Sequence, residues 1–269
     1  MAAELKIGAL VPVRLASERL PRKALQPIAG RPVIVHLLDR FCASKFLAPE
    51  RVVVCTTEER EDDPLVPVAE AAGVSVFRGS RDDIIDRFHR AVEHFGFGAV
   101  IQADGDDPCT DPAYMDLCME RLLADPSLDI VFGEELPLGL ASKAIRASAI
   151  RKVREHYLTE RNDTGFIYYF TKTGLCRVDK VRPVSEAHRH ETARLTLDYP
   201  EDLMFFQALF DELYEEGKVF GVGEIVALLR RRPDLLAINA GLAERYMKRT
   251  RELARLEYRV DGQVHKVQV

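Results

Sequence analysis

The sequence predicts an α/β fold: a mostly parallel central sheet flanked by helices, with a small antiparallel extension. Three observations carry this expectation. Ile7 to Val13 and Arg51 to Cys55 are short, almost uninterrupted apolar runs, the pattern of strands buried on both faces of a parallel sheet. Between them, Pro32 to Phe41 spaces its apolar residues at helical turns behind a Gly-Arg-Pro start signal. The alternation then repeats through a helix at Arg81 to Phe95 and a strand at Ala99 to Gln102, which implies right-handed crossovers.

The remaining elements come in order along the chain. Asp63 to Ala72 reads as a helix and Val74 to Phe77 as a strand. In the second half Ile130 to Phe132, Ala144 to Ile145, Gly165 to Thr171 and Leu175 to Val178 are strand candidates between short polar segments. They predict antiparallel additions at a binding site or a subunit contact. Helices return at Glu201 to Glu216 and Val222 to Arg231, and Leu242 to Leu256 is charged and amphipathic. Tyr258 to Val269 alternates like a hairpin or extended arm. Residues 1–269 are read as one domain, with 130–195 serving the second substrate or a dimer and 240–269 forming a C-terminal helix and arm.

Composition bounds the function. A chain of 269 residues with 47% hydrophobic residues can bury a substantial core. The 38 basic and 43 acidic residues leave a formal net charge of −5, which argues against a general polyanion surface, so nucleic acid is not expected as a partner. No apolar run approaches the ~18 residues of a membrane span, and no charged-then-apolar leader is seen at Met1, so a cytoplasmic location is expected. The cysteines Cys42, Cys55, Cys109, Cys118 and Cys176 are scattered, with no CxxC pair, and read as core residues.

Three segments carry chemistry. The first, VPVRLASERLPRKAL, runs from Val11 to Leu25. It follows the strand end Val11-Pro12-Val13 with Arg14, Ser17, Arg19, Arg22 and Lys23, at the place where open α/β sheets bind ligands. Several cations with exposed backbone N–H groups suit a triphosphate. The alternative is a solvated charged loop. The second, IQADGDDPCTDP, runs from Ile101 to Pro112, and its Asp104, Asp106 and Asp107 repel one another unless a cation intervenes. Mg²⁺ is the natural hard, oxygen-ligated resident. The alternative is an Asp-rich turn before a helix, which Asp111 could cap alone. The third, RLTLDYPEDLMFF, runs from Arg194 to Phe206. Leu195 to Leu197 reads as a strand end with Asp198 at its tip, and Pro200-Glu201-Asp202 opens a helix. Asp198 would then face the same cleft as Asp106, and two such carboxylates with phosphates and water make a usual Mg²⁺ arrangement.

In this order the three segments resemble the cytidylyltransferases that activate sugar acids, such as the 3-deoxy-manno-octulosonate and acylneuraminate enzymes. Arg78 to Phe88 (RGSRDDIIDRF) and Glu160-Arg161 look closest to the spore-coat polysaccharide SpsF-type branch. The resemblance covers most of residues 5–210. It implies a Rossmann-like nucleotide-diphospho-sugar transferase fold and a Mg²⁺-dependent transfer of CMP from CTP to a small anionic or sugar-like acceptor. By motif position it implies Arg14, Ser17, Arg19 and Lys23 at the nucleotide and Asp106 and Asp198 at the metal, with Arg14, Lys23 and Asp106 central to catalysis. Where those enzymes carry Gln two residues before the first metal aspartate, this chain has Asp104.

Arg78 and Asp82 are read as further nucleotide contacts, although Ser80 with Asp82 and Asp83 also makes a good helix start. Tyr168, Lys172, His188 and His190 are candidates for the acceptor, with a solvated His-Arg-His loop as the alternative. No P-loop, HExxH or GxSxG motif is present. Rival readings are a glycosyltransferase of the related fold and a non-catalytic nucleotide-binding protein. A homodimer is expected from the aromatic Gly165 to Val178 region and the amphipathic helix from Leu242.

Overall fold

The computed structural model describes residues 5–159 and 161–268. In chain order the elements are β1 (Ile7–Pro12), β2 (Pro27–Ile28), β3 (Arg31–Pro32), α1 (Val33–Cys42), β4 (Val52–Thr57), α2 (Leu65–Ala71), β5 (Ser75–Gly79), α3 (Ile84–Phe95), β6 (Ala99–Gln102) and α4 (Pro112–Ala124). The second half adds β7 (Ile130–Gly133), β8 (Lys143–Arg146), α5 (Ala147–His156), α6 (Ile167–Thr171), β9 (Val178–Val181), α7 (Pro200–Leu213), α8 (Val222–Arg231), α9 (Pro233–Ile238), α10 (Leu242–Leu253), β10 (Arg255–Val260) and β11 (Gln263–Gln268).

The central sheet has seven strands in the order β5-β4-β1-β6-β8-β7-β9. Strands β5, β4, β1 and β6 are mutually parallel, and β8 enters antiparallel between β6 and β7. This is the mostly parallel sheet with an antiparallel extension that the apolar runs predict. Every residue of β1, β4 and β6 is buried, which explains why their sequences are apolar without alternation. One face packs on α1 and α4 through Leu37, Phe41, Met115 and Met119; the other packs on α3 and α5 through Phe88, Val92, Ile150 and Val153. A third cluster joins α7 and α8 to Leu195 and Leu197.

The chain leaves β1 toward β4 and β5 on one side, then returns to add β6 on the other. The loops after β1 and β6 therefore diverge from adjacent strand ends and leave a crevice, the switch point at which such sheets bind ligands. Side-chain caps fix the starts of α3, which follows β5, and of α4, which follows β6. Asp83 accepts from Asp86 N at 2.8 Å to start α3, and Asp111 accepts from Ala113 N at 2.9 Å to start α4.

Three expectations need correction. Gly165 to Thr171 is not a strand: it forms a turn into α6, because Phe166, Tyr169 and Phe170 bury one stripe at i, i+3 and i+4 rather than one face at alternate positions. The strand placed at Leu175 to Val178 lies at Val178–Val181, with Cys176 buried before it. Leu195 to Leu197 does not join the sheet; it is an extended segment tied by an isolated bridge between Leu138 and Arg194. Helices α5 and α9 have no counterpart among the sequence expectations. Tyr258 onward forms the outer part of a β10–β11 hairpin, antiparallel as its alternation implies. Among the described residues, no helix is long and apolar enough to cross a membrane.

Candidate active site

Three loops are stitched together at the crevice by backbone hydrogen bonds. Gly105 N donates to Pro12 O at 3.1 Å, laying the loop after β6 against the end of β1. A Cβ at Gly105 would stand 2.7 Å from the Val13 Cβ and 2.9 Å from Pro12 O, so only glycine allows this approach. Leu197 N then donates to the carbonyl of Asp106 at 2.8 Å, which brings the Asp198 segment alongside.

The side chains that converge are Lys23, Asp106, Asp198 and Arg19. Lys23 Nζ lies 2.5 Å from Asp106 Oδ2 and 2.9 Å from Asp198 Oδ1. Arg19 Nη2 also donates to Asp198 Oδ1. Lys23 opens a single 3-10 turn, Lys23–Leu25, behind Arg22, whose φ of 53° reverses the loop and returns it to the strand ends. Ser17 shapes the same loop, its hydroxyl accepting from Leu20 N at 3.4 Å.

The electrostatics are those of a crowded acidic cluster held by few cations. Desolvation pushes the Asp106 carboxyl up, Asp198 and Asp104 add to it, and Lys23 only partly opposes them. Asp107 lies well above the carboxylate range because of burial and the charges of Asp106 and Asp104. Burial acts upward on Asp198 too, yet Lys23 and Arg19 outweigh it and hold that carboxyl below its ordinary value. Burial disfavours the Lys23 charge, but Asp106 and Asp198 more than compensate and its value is raised.

Both Asp106 and Asp198 reach one ammonium nitrogen, so their oxygens stand close enough to share a single cation. Among the described residues no group of three or more His, Cys, Asp or Glu side chains is assembled for a metal. A two-carboxylate donor set suits Mg²⁺, which usually takes one or two carboxylates and completes its shell with phosphates and water.

Several supporting residues escape a reading of the sequence. Arg194, 2% exposed, donates from Nη2 to Asp198 Oδ2 at 2.8 Å and from Nε to Asp202 Oδ1 at 3.1 Å. Asp202, expected only as a helix-opening acid, also accepts from Asp198 N at 2.9 Å and Tyr199 N at 3.0 Å. Lys143 Nζ meets Asp104 Oδ2 at 3.1 Å, while Gln102 donates to the other oxygen at 2.9 Å. Tyr246 on α10 feels Asp106 and Asp198; burial and these charges push its phenol up. No periodicity marks such residues, since their partners come from distant loops.

The other candidates are placed elsewhere. Arg14 pairs with Asp163 at 2.7 Å rather than with the central group. Asp163 also meets Arg161 at 3.1 Å, and Arg161 lies 3.6 Å from Asp82; Glu160 lies outside the described residues. Arg78 donates to Thr57 O at 2.7 Å and Glu59 O at 2.8 Å beside β4. Tyr168 packs in the α3–α5 cluster, and Lys172 caps the end of α6. His188 Nδ1 is 2.9 Å from the Tyr114 hydroxyl, and burial and Arg230 hold His190 below its ordinary value. Among the described residues, none of Tyr168, Lys172, His188 and His190 bonds or ion-pairs with Lys23, Asp106 or Asp198.

A switch-point crevice lined by a cationic loop and by two acids, one on the loop after a central strand and one on an extended segment beside it, defines the α/β nucleotidyltransferase class. The chain belongs to the cytidylyltransferase family, whose profile matches residues 8–224. It is similar to the spore coat polysaccharide biosynthesis protein SpsF of Bacillus subtilis, 28% identical over 84% of this chain and 94% of that one. It is also similar to the 3-deoxy-manno-octulosonate cytidylyltransferase of Aeromonas salmonicida, 30% identical over 61% of this chain and 60% of that one. A cytidylyltransferase structure from Leptospira borgpetersenii superposes with a TM-score of 0.78 at 24% identity, covering 87% of this chain and 97% of that one.

Proposed function

We propose that the protein is a Mg²⁺-dependent cytidylyltransferase that transfers CMP from CTP to a small anionic acceptor, a sugar acid, sugar or phosphonate, in surface polysaccharide or related biosynthesis. The observation that carries this reading is the junction of Lys23 with both Asp106 and Asp198 beside the cationic loop. The similarity to a 3-deoxy-manno-octulosonate cytidylyltransferase supports the cytidylyl group and the sugar-acid class of acceptor, and the similarity to SpsF supports the polysaccharide setting.

An oxygen of the acceptor attacks the α-phosphorus of the nucleotide, the bond to the β-phosphate bridging oxygen breaks, and pyrophosphate leaves; a hydroxyl acceptor loses its proton to solvent. Lys23, Arg19 and Arg14 take up charge on the phosphates, Arg14 exchanging Asp163 for the ligand. Arg194 holds one oxygen of Asp198 so that the other faces the cleft. A bound Mg²⁺, held by Asp106 and Asp198, would neutralise phosphate charge and favour ionisation of the acceptor hydroxyl. The chain contributes mainly positioning and preorganised charge, the usual division of labour in phosphoryl transfer. We place this activity in the cytoplasm, in a homodimer built through the 130–195 elements, which sedimentation would test.

Pyrophosphate release, measured against the four nucleoside triphosphates and a panel of sugar acids, sugars and phosphonates, tests the proposal. CTP with one acceptor class should give turnover. Turnover with another nucleotide alone, or transfer only from a preformed nucleotide sugar, would overturn it.

A further inference from the structure

The family match ends at residue 224, yet the chain continues, and α10 lies against the candidate nucleotide site. Three contacts locate it. Arg249 comes within 3.6 Å of Glu18 in the cationic loop. The Tyr246 ring centroid lies 5.0 Å from the guanidinium of Arg194, the side chain that holds Asp198. The Arg245 guanidinium lies 4.7 Å from the centroid of the Tyr199 ring, and Arg19 lies 5.1 Å from the same centroid.

Arg19 and Arg245 thus both pack on the ring of one buried tyrosine, 4% exposed. Their circumstances differ. Arg19 is neutralised by Asp198, Arg194 by Asp198 and Asp202, and Lys23 by Asp106 and Asp198. Arg245 is exposed and makes no ion pair or hydrogen bond among the described residues. An exposed, unpaired arginine is ordinarily a solvated side chain. Here the ring of Tyr199 holds its guanidinium beside the cationic loop that carries Arg19, with no carboxylate paired to it among the described residues, an arrangement that a multivalent anion would complete. The planar fork keeps all its donors for such an anion.

We propose that Arg245 is a further nucleotide-binding residue, a contact from the C-terminal helix to the polyphosphate end of the nucleoside triphosphate and to the pyrophosphate product. The proposal rests on the nucleotide reading of the Lys23 site. Sharing Tyr199 with Arg19 directs Arg245 to the phosphates rather than to the base. It also gives the segment beyond the family match a role in the same site.

Isothermal titration with CTP, CMP and inorganic pyrophosphate, each with Mg²⁺, tests this on the full chain. Arg245→Gln should bind CTP and pyrophosphate about tenfold more weakly, the scale of one lost charge-assisted contact, and CMP within about twofold of the parent. Lys248→Gln is the control, because Lys248 is exposed on the same helix but lines the outer groove with Glu244, Met247 and Arg251. It should leave all three affinities unchanged. Unchanged CTP and pyrophosphate affinity in Arg245→Gln, or an equal loss for CMP, would overturn the proposal while leaving the nucleotide reading intact. A parent protein that binds no CTP would overturn both. Thermal melts of Arg245→Gln should match the parent, since the side chain is unpaired, and a large drop would assign it a structural role instead.

Discussion

The ammonium of Lys23 lies 2.5 Å from the Asp106 carboxylate, a contact between two loops that leave neighbouring strands. It holds the two halves of the site in register before any ligand arrives. If the same lysine meets phosphate during turnover, Lys23→Ala and Asp106→Asn should each lower turnover by ~10²-fold or more, the scale of one lost preorganised charge. Steady-state pyrophosphate release measures this. Near-normal turnover of Asp106→Asn at saturating Mg²⁺ would remove that residue from the reaction.

Metal removal gives a separate test. Exhaustive chelation should abolish turnover, and added Mg²⁺ should restore it. Asp198→Asn should shift the Mg²⁺ concentration for half-maximal turnover upward by about tenfold or more, since one of two anionic ligands is gone. Activity that survives chelation would exclude a metal-dependent reaction.

Much of this arrangement is legible in the residues themselves, and the part that is not has a physical reason. Ile7–Pro12, Val52–Thr57 and Ala99–Gln102 announce themselves because strands buried on both faces must be apolar throughout. Lys23, Asp106 and Asp198 are legible next, because charge placed at a buried strand end or its continuation must face the crevice or be neutralised. Gly165 to Thr171 misleads because aromatic residues favour strands, whereas the stripe of Phe166, Tyr169 and Phe170 obeys helical spacing. Arg194 and Lys143 are invisible because each pairs with a side chain that the sequence does not place beside it.

Arg194 should act on stability first and on metal affinity second. It is buried between Asp198 and Asp202, and Asn239 Nδ2 also donates to Asp202 at 3.0 Å. Arg194→Met would leave the buried Asp202 carboxylate without its cation, while Asp198 keeps Lys23 and Arg19, a loss of about 3–5 kcal/mol in urea unfolding. Arg194→Lys keeps the charge but loses the fork. It should fold better than Arg194→Met yet still need more Mg²⁺ for half-maximal turnover. A Mg²⁺ dependence identical to the parent would show that Arg194 does not orient Asp198.

His36 predicts a pH dependence of stability. Its Nε2 lies 2.8 Å from Ile28 O, and Phe210 and Tyr214 meet its ring edge to face. Burial holds the imidazole below its ordinary value, and Arg31 and Arg40 push the same way, against Ile28 O and Asp39. The unfolded chain therefore takes up a proton near pH ~6.5 that the folded chain resists. The stabilisation is fully present above that pH and declines as pH falls toward the folded-state value. Thermal melts from pH 7 to 5 should show this decline, and His36→Gln should flatten it. His190 is also held low and acts in the same direction, whereas Asp106 and Asp107, held high, act against it, so the single variants apportion the effect. An unchanged slope in His36→Gln would assign the decline elsewhere.

Gly139 connects backbone conformation to the position of Asp198. Its φ is +94°, and a Cβ there would stand 2.0 Å from the carbonyl oxygen of Leu195 and 2.4 Å from its carbon. Both atoms are backbone, so no rotamer change relieves the clash. The segment must move, which endangers the 2.7 Å hydrogen bond from Leu195 N to Leu138 O. Gly139→Ala should therefore cost roughly 2–4 kcal/mol through strain and overpacking, read by urea unfolding. Because Asp198 lies three residues beyond Leu195, the same variant should also need more Mg²⁺ for half-maximal turnover. A variant that is destabilised but keeps the parent's metal requirement would show that Asp198 is held by Arg194 and Asp202 alone, independently of the backbone bridge.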